Sequence, residues 1–197
     1  MFEVPAQKWV DLTDDSGLFG LSLLNDCKYG HDVRGNLLRI TLLRSPKSPD
    51  PNADMGEHEF TYSLYPHQGN WQEAETHRRA CELNYPLHVV MTEEHPGALG
   101  REGSFVRLEA GAGVILSAVK RAEQDEKMVL RLYELFGKKT PAKLHFARKV
   151  VAAEETDLLE RPLAALPVSG HTVIAELSPF EIKTVLVELG RAHSGRR

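Results

Sequence analysis

Apolar side chains at every second position recur along this chain, and that period fits a half-buried strand and not a helix. In residues 59–65, Phe60, Tyr62 and Leu64 alternate with Thr61 and Ser63. In residues 127–136, Met128, Leu130 and Leu132 share one face against Val129, Arg131 and Tyr133, and Leu144 and Phe146 repeat the pattern. Residues 114–119 and 182–189 are apolar on both sides and rich in β-branched types, as expected of strands inside a sandwich. Turn chemistry separates these runs at Arg34-Gly-Asn36, Gly111-Ala-Gly113, Gly137-Lys-Lys-Thr-Pro141 and Ser169-Gly170. The pattern predicts a mainly β fold built of antiparallel β-sandwich layers.

Residues 71–84 read differently. They lack glycine and proline, and Ala74, His77 and Cys81 fall on one helical face with Glu73, Glu75, Arg78 and Arg79 opposite. Asn70 is the expected N-cap and Tyr85-Pro86 the stop, so one helix is expected there, packed on a sheet. Residues 45–56 hold three prolines and no apolar period, which predicts a surface loop. A composition shift over residues 91–103, with Glu93, Glu94, Pro96 and three glycines, marks the expected domain boundary.

At 197 residues, 42% hydrophobic and 26% charged, the chain has the make-up of an ordinary soluble globular protein of one or two domains. Net charge is −4 with acids and bases interspersed, so no footprint for nucleic acid or an anionic membrane is read. The basic tail at 191–197 reads as a solvated end. No apolar run approaches the roughly 20 residues of a membrane helix. The two cysteines, Cys27 and Cys81, are read as reduced thiols, which fits a cytoplasmic location.

The most informative segment for function is Leu18-Phe-Gly-Leu-Ser-Leu-Leu-Asn-Asp-Cys-Lys-Tyr-Gly30. An apolar strand ends there in an amide, an acid, an amine and a phenol. Mixed polar groups at a strand mouth suit recognition of a polyhydroxylated ligand.

Asn25-Asp-Cys-Lys-Tyr-Gly30 resembles a segment of the α-mannosidases of glycoside hydrolase family 38. Leu37-Leu-Arg-Ile-Thr-Leu-Leu-Arg-Ser-Pro46, Pro49-Asp-Pro51, Gly56-Glu-His-Glu-Phe-Thr-Tyr62, Tyr65-Pro-His67 and Asp157-Leu-Leu-Glu-Arg-Pro162 follow in the order of the cytosolic and bacterial branch. The resemblance begins near residues 4–12 and is to the C-terminal β region. It implies that residues 1–92 are the C-terminal part of the large mannosidase β-sandwich, with the helix at about 71–84. It implies that residues 93–197 are a small C-terminal β-sandwich.

Enzymes of that family hydrolyse terminal α-mannosidic bonds with retention, through a covalent intermediate and with bound zinc. Their nucleophilic aspartate and zinc ligands belong to an N-terminal α/β barrel, to which no part of this chain is similar. The resemblance therefore implies no catalytic residue, no metal ligand and no cofactor in this chain, with zinc in the missing catalytic domain. The chain alone is expected to be inactive. Asn25, Asp26, Lys28 and Tyr29 match a loop that helps line the sugar pocket, which implies substrate binding. Lysine and acid offer partners to sugar hydroxyls, and a tyrosine ring covers an apolar sugar face. The alternative is that Asp26 and Lys28 pair locally and Tyr29 packs at a sandwich edge. His31 and Asp32 read as a plain turn.

Read from the residues alone, no catalytic pair stands out. Glycosidases commonly need two carboxyl groups about 5 to 10 Å apart. Glu57 with Glu59, Asp14 with Asp15, and Glu154 with Glu155 are pairs in sequence, but each reads as a solvated edge. In Glu57-His58-Glu59, strand alternation would turn His58 away from both acids. The nine histidines are scattered, and no nucleophile elbow or Gly-rich phosphate loop occurs.

Three readings follow: a scaffold and pocket-lining β region of an α-mannosidase, a free-standing carbohydrate-binding module, and an independent hydrolase. The first is favoured. Its expected partners are a mannose-containing glycan and an N-terminal catalytic domain, with self-association through surfaces that domain would cover. With only Trp9 and Trp71 in the chain, no strand carries the row of exposed rings a module would show.

Overall fold

The computed structural model describes residues 3–97 and 100–190. The chain divides into two compact units, Met1–Glu93 and Glu94–Arg197. The basic tail at 191–197 lies outside the described residues.

The first unit contains β1 (Val4–Pro5), β2 (Trp9–Thr13), β3 (Phe19–Asn25), β4 (Gly30–Arg34), β5 (Leu37–Ile40), β6 (Tyr62–Gln68) and α1 (Thr76–Asn84). Two three-stranded antiparallel sheets form, in the orders β1-β4-β5 and β2-β3-β6. Register in the second sheet places Thr13, Gly20 and His67 side by side, and likewise Asp11, Ser22 and Tyr65. That polar face is the one α1 covers. The Ser22 and Thr76 hydroxyls meet at 2.8 Å, and the Tyr65 hydroxyl donates to the Ala74 carbonyl at 3.1 Å. Trp9 and Trp71 stack at a tilt, with centroids 5.1 Å apart.

Asp11 is the hub of this interface. Its carboxylate accepts from the hydroxyls of Thr13 and Ser22, each at 2.6 Å, and from His67 Nε2 at 2.7 Å. Gly20 is explained by the same packing: a Cβ there would collide with the His67 ring lying over β3.

The helix is shorter than the sequence pattern predicts. Asn70 does cap a turn, its Oδ1 accepting from the backbone of Gln72 at 2.9 Å and Glu73 at 3.1 Å. Glu75 then takes the left-handed conformation (φ 49°), which breaks the spiral, and the regular helix starts only at Thr76. The buried side is Thr76, His77 and Ala80, so Cys81 lies at the edge of the face it was expected to share.

Strand β6 also begins later than residue 59. Residues 57–61 are irregular, so strand alternation does not govern Glu57, His58 and Glu59. Within β6 the alternation is real but inverted: Ser63, Tyr65 and His67 face α1, while Tyr62 and Leu64 face outward.

The second unit contains β7 (Val106–Ala110), β8 (Val114–Arg121), β9 (Met128–Glu134), β10 (Thr140–Phe146), β11 (Val150–Thr156), β12 (Pro162–Ala165), β13 (Val168–Ser169), β14 (Thr172–Leu177) and β15 (Ile182–Leu189). They form sheets of order β13-β14-β10-β7 and β12-β11-β15-β9-β8, antiparallel throughout. Leu130, Leu132, Val185 and Val187 from one sheet and Leu144, Phe146, Val173 and Leu177 from the other fill one core. Fully burying each such side chain contributes about 1.5–3 kcal/mol. β15 is apolar on both faces because Leu186 joins Val129 and Ala122 in a second cluster on the outer side. Among the described residues the architecture is mainly β with one helix, as the alternation predicts.

The sandwich end is closed by charge. Lys183, its side chain 8% exposed, donates to Glu155 at 2.6 Å and lies 2.9 Å from Glu181. Burial pulls the ammonium pKa down, but the two carboxylates outweigh it and leave it raised. Asp157-Leu-Leu-Glu-Arg-Pro162 proves structural too. Asp157 accepts from the backbone of Leu159 and Arg161, and Glu160 holds Lys120 at 2.7 Å.

Candidate functional site

The polar end of β3 is the best candidate site, and it is fixed from four directions. The backbone N–H of Asn25 donates to the Lys8 carbonyl at 2.9 Å, and the Asn84 side chain donates to the Asn25 carbonyl at 3.0 Å. The backbone N–H of Asp26 donates to the Thr61 carbonyl at 3.2 Å, and Thr61 N–H returns a bond to Asp26 Oδ2 at 2.9 Å. On the far side, Ala6 N–H donates to the Tyr29 carbonyl at 2.9 Å.

Asn25, 1% exposed, organises the turn from within. Its Oδ1 accepts from Lys28 N–H at 2.7 Å, and its Nδ2 lies 3.4 Å from Nε2 of the buried His31. His31 Nδ1 faces the Tyr29 carbonyl at 3.0 Å. Both ends of the amide are therefore engaged, and Asn25 positions the loop. Asn25→Ala should cost about 1–3 kcal/mol in chemical unfolding followed by tryptophan fluorescence, since buried groups lose their partners. Wild-type stability in that variant would remove Asn25 from this role.

The other three residues sit on the rim. Lys28 Nζ lies 4.7 Å from the Phe60 ring centroid, a cation–π contact, and Tyr29 is 56% exposed. The Cys27 thiol and the Thr61 N–H hold the Asp26 carboxyl below its ordinary pKa. The same hydrogen bond pushes the Cys27 thiol up, which makes it a poor nucleophile. Asp26 is thus taken up by Cys27 and Thr61, and Lys28 by Phe60, in place of an ion pair between them.

Together Asn25, Asp26, Lys28 and Tyr29 surround a recess of about 70 Å³ that Gln7, Lys8, Cys27 and Asn84 complete. Ligand pockets run to about 300–1,000 Å³, so this recess is one wall of a pocket at most. Sequence reasoning missed Lys8, Asn84 and Phe60 here. Phe60 carried a signal as an aromatic next to a turn, whereas the positions of Lys8 and Asn84 depend on tertiary contacts.

The sequence-level acid pairs come to little. Asp14 binds its own turn through Ser16 and Leu18, and Glu155 is spent on Lys183. Among the described residues, no group of three or more His, Cys, Asp or Glu side chains could hold a metal ion. A zinc ion therefore finds no fitting ligand set in them.

Comparison with known proteins decides the family. Residues 1–52 match the family model described as the glycosyl hydrolases family 38 C-terminal domain, and residues 113–185 match that of the family 38 C-terminal beta sandwich domain. The chain belongs to the C-terminal region of glycosyl hydrolase family 38. It is 42% identical over 197 residues to human alpha-mannosidase 2C1, covering 95% of this chain and 18% of that protein. Against an alpha-mannosidase of Saccharomyces cerevisiae it is 35% identical over 204 residues, covering 92% and 18%. A crystal structure of an alpha-mannosidase from Enterococcus faecalis superposes with a TM-score of 0.75 at 26% identity, covering 94% of this chain and 21% of that one. This family 38 chain thus spans about a fifth of the relatives it matches.

Proposed function

We propose that this chain serves as the C-terminal β region of a retaining α-mannosidase that cleaves terminal α-mannosidic bonds. It supplies scaffold and one wall of the sugar pocket, and the carboxylate nucleophile and zinc belong to a catalytic domain outside it. The observation that carries this reading is the preorganised turn at Asn25–Tyr29. Asn25 locks the backbone, while Lys28 and Tyr29 project from the rim of a recess too small to enclose a hexose. Lys28 would donate to sugar hydroxyls, Asp26 accept from them, and Tyr29 cover an apolar ring face. Loss of a charged hydrogen bond costs about 1.5–3 kcal/mol.

Lys28→Ala should therefore lower kcat/KM for an aryl α-mannoside by about tenfold or more in an assembly that includes the catalytic domain. Its melting temperature should be unchanged. Equal kinetics for the two proteins would remove Lys28 from the pocket.

The alternative, a free-standing carbohydrate-binding module, is disfavoured by the size of the recess. Both tryptophans are also packed on each other rather than displayed. The two free cysteines support a cytoplasmic placement. No helix among the described residues is long and apolar enough to cross a membrane.

A further inference from the structure

Lys8 sits in the bend that joins β1 to β2, with its backbone in the left-handed region at φ 71°. A Cβ makes that region costly, and lysine lacks the short polar side chain by which asparagine and aspartate adapt to it. Glycine would meet the same backbone requirement without strain. Strained residues persist where the surrounding structure over-determines them, and they gather at binding sites.

The surroundings of Lys8 fit that description. The bend brackets the Asn25–Tyr29 turn: the Ala6 N–H donates to the Tyr29 carbonyl, and the Lys8 carbonyl accepts from the Asn25 N–H, each at 2.9 Å. The Lys8 side chain starts from the same point and lines the recess with Asp26, Lys28 and Tyr29. Its ammonium donates to the Tyr85 hydroxyl at 2.9 Å and stands 4.6 Å from that ring's centroid. Lys28 is braced in the same way, 4.7 Å from the Phe60 centroid. Two lysines, each seated on an aromatic ring, thus flank the recess. An ammonium carries three donors and can hold the Tyr85 hydroxyl and a sugar hydroxyl together.

We propose that Lys8 is a further substrate-binding residue, whose ammonium donates to hydroxyls of the mannoside beside Lys28. This rests on the α-mannosidase reading given above. The strained bend serves two ends. Its carbonyl fixes the turn at Asn25, and its Cβ carries the ammonium to the recess. A glycine would serve the first end alone.

Lys8→Gly separates the two roles, measured in the assembly that includes the catalytic domain. Glycine takes φ 71° freely and keeps the carbonyl that holds Asn25, so this variant should melt no lower than Lys8→Ala. Its KM for an aryl α-mannoside should nevertheless rise by about tenfold with kcat nearly unchanged, the mark of a charged hydrogen bond made in ground and transition states alike. Lys8→Met, which keeps the unbranched stem without the charge, should show the same rise. Lys8→Arg should recover part of it. Wild-type KM in Lys8→Gly or Lys8→Met would overturn the assignment and leave Lys8 a purely structural residue. If Lys28→Ala still lowers kcat/KM in that case, the pocket wall stands and Lys8 alone is removed from it. Wild-type kinetics in all three variants would overturn the pocket wall as well, and an assembly without mannosidase activity would overturn both readings.

Discussion

Replacing Glu134 by alanine should destabilise the second unit by about 3 kcal/mol or more, because buried donors left without acceptors each cost about 1–3 kcal/mol. Glu134 is 3% exposed and gathers four backbone N–H groups. Oε1 accepts from Phe136 at 2.8 Å, and Oε2 accepts from Gly137 at 2.7 Å, Lys138 at 3.1 Å and Phe180 at 3.0 Å. Gly137, at φ 69°, lets the chain curl so that successive amides point inward. Glu134→Gln keeps one acceptor oxygen and turns an amide N–H₂ toward a donor, so it should cost about half as much. Hydrogen exchange of the β9 amides, which report on this unit, measures both effects. An alanine variant within about 0.5 kcal/mol of wild type would contradict the hub role.

The same residue gives a pH dependence. Burial pushes the Glu134 carboxyl pKa up, but the four N–H donors outweigh it and hold the folded-state pKa below the ordinary value. A depressed carboxylate pKa adds stability above the unfolded pKa, and that contribution is lost as pH falls through the folded one. Glu181 is lowered as well, burial raising it less than Ser178 and Lys183 lower it. The second unit should therefore lose stability below about pH 4.5. Glu134→Gln should flatten that slope.

The second large effect belongs to the first unit. Asp11→Ala removes the common acceptor of Thr13, Ser22 and His67 beneath α1, where the side chains of Asp11 and His67 are 5% and 3% exposed. Ser22 is fully buried at 0%, so its hydroxyl loses one of two partners without access to water. The expected cost is about 2–4 kcal/mol, from orphaned buried polar groups. Asp11→Asn should recover only part, since its amide nitrogen cannot accept. Trp9 and Trp71 are the only tryptophans and both lie in this unit, so their fluorescence reports on it. An unshifted fluorescence transition would show that the polar layer is dispensable.

Both hubs are buried acids that the sequence pattern does not single out, whereas of the acids in its pairs Asp14 serves its own turn and Glu155 an ion pair with Lys183. The physical reason is visible in Asp11. In the chain it is one acid between Val10 and Leu12, and its function depends on His67 and Ser22 meeting it across two strands. Local periodicity was legible for β9, β10 and β15, whose apolar faces meet in one core, so the β architecture could be read directly. It misled at β6, where the large apolar residues face outward and the polar ones pack under α1. That inversion is what exposes Tyr62 and Leu64. The turn at Asn25–Tyr29 was legible because its residue types clash with an apolar strand. Its internal wiring was not, since Lys8, Thr61 and Asn84 come from distant parts of the first unit.

Hydrolysis of an aryl α-mannoside in the presence of zinc tests the functional reading most directly. The chain alone should give no turnover above the uncatalysed rate, and adding the complementary family 38 polypeptide should produce activity that Lys28→Ala diminishes. Robust turnover by the chain alone would contradict it.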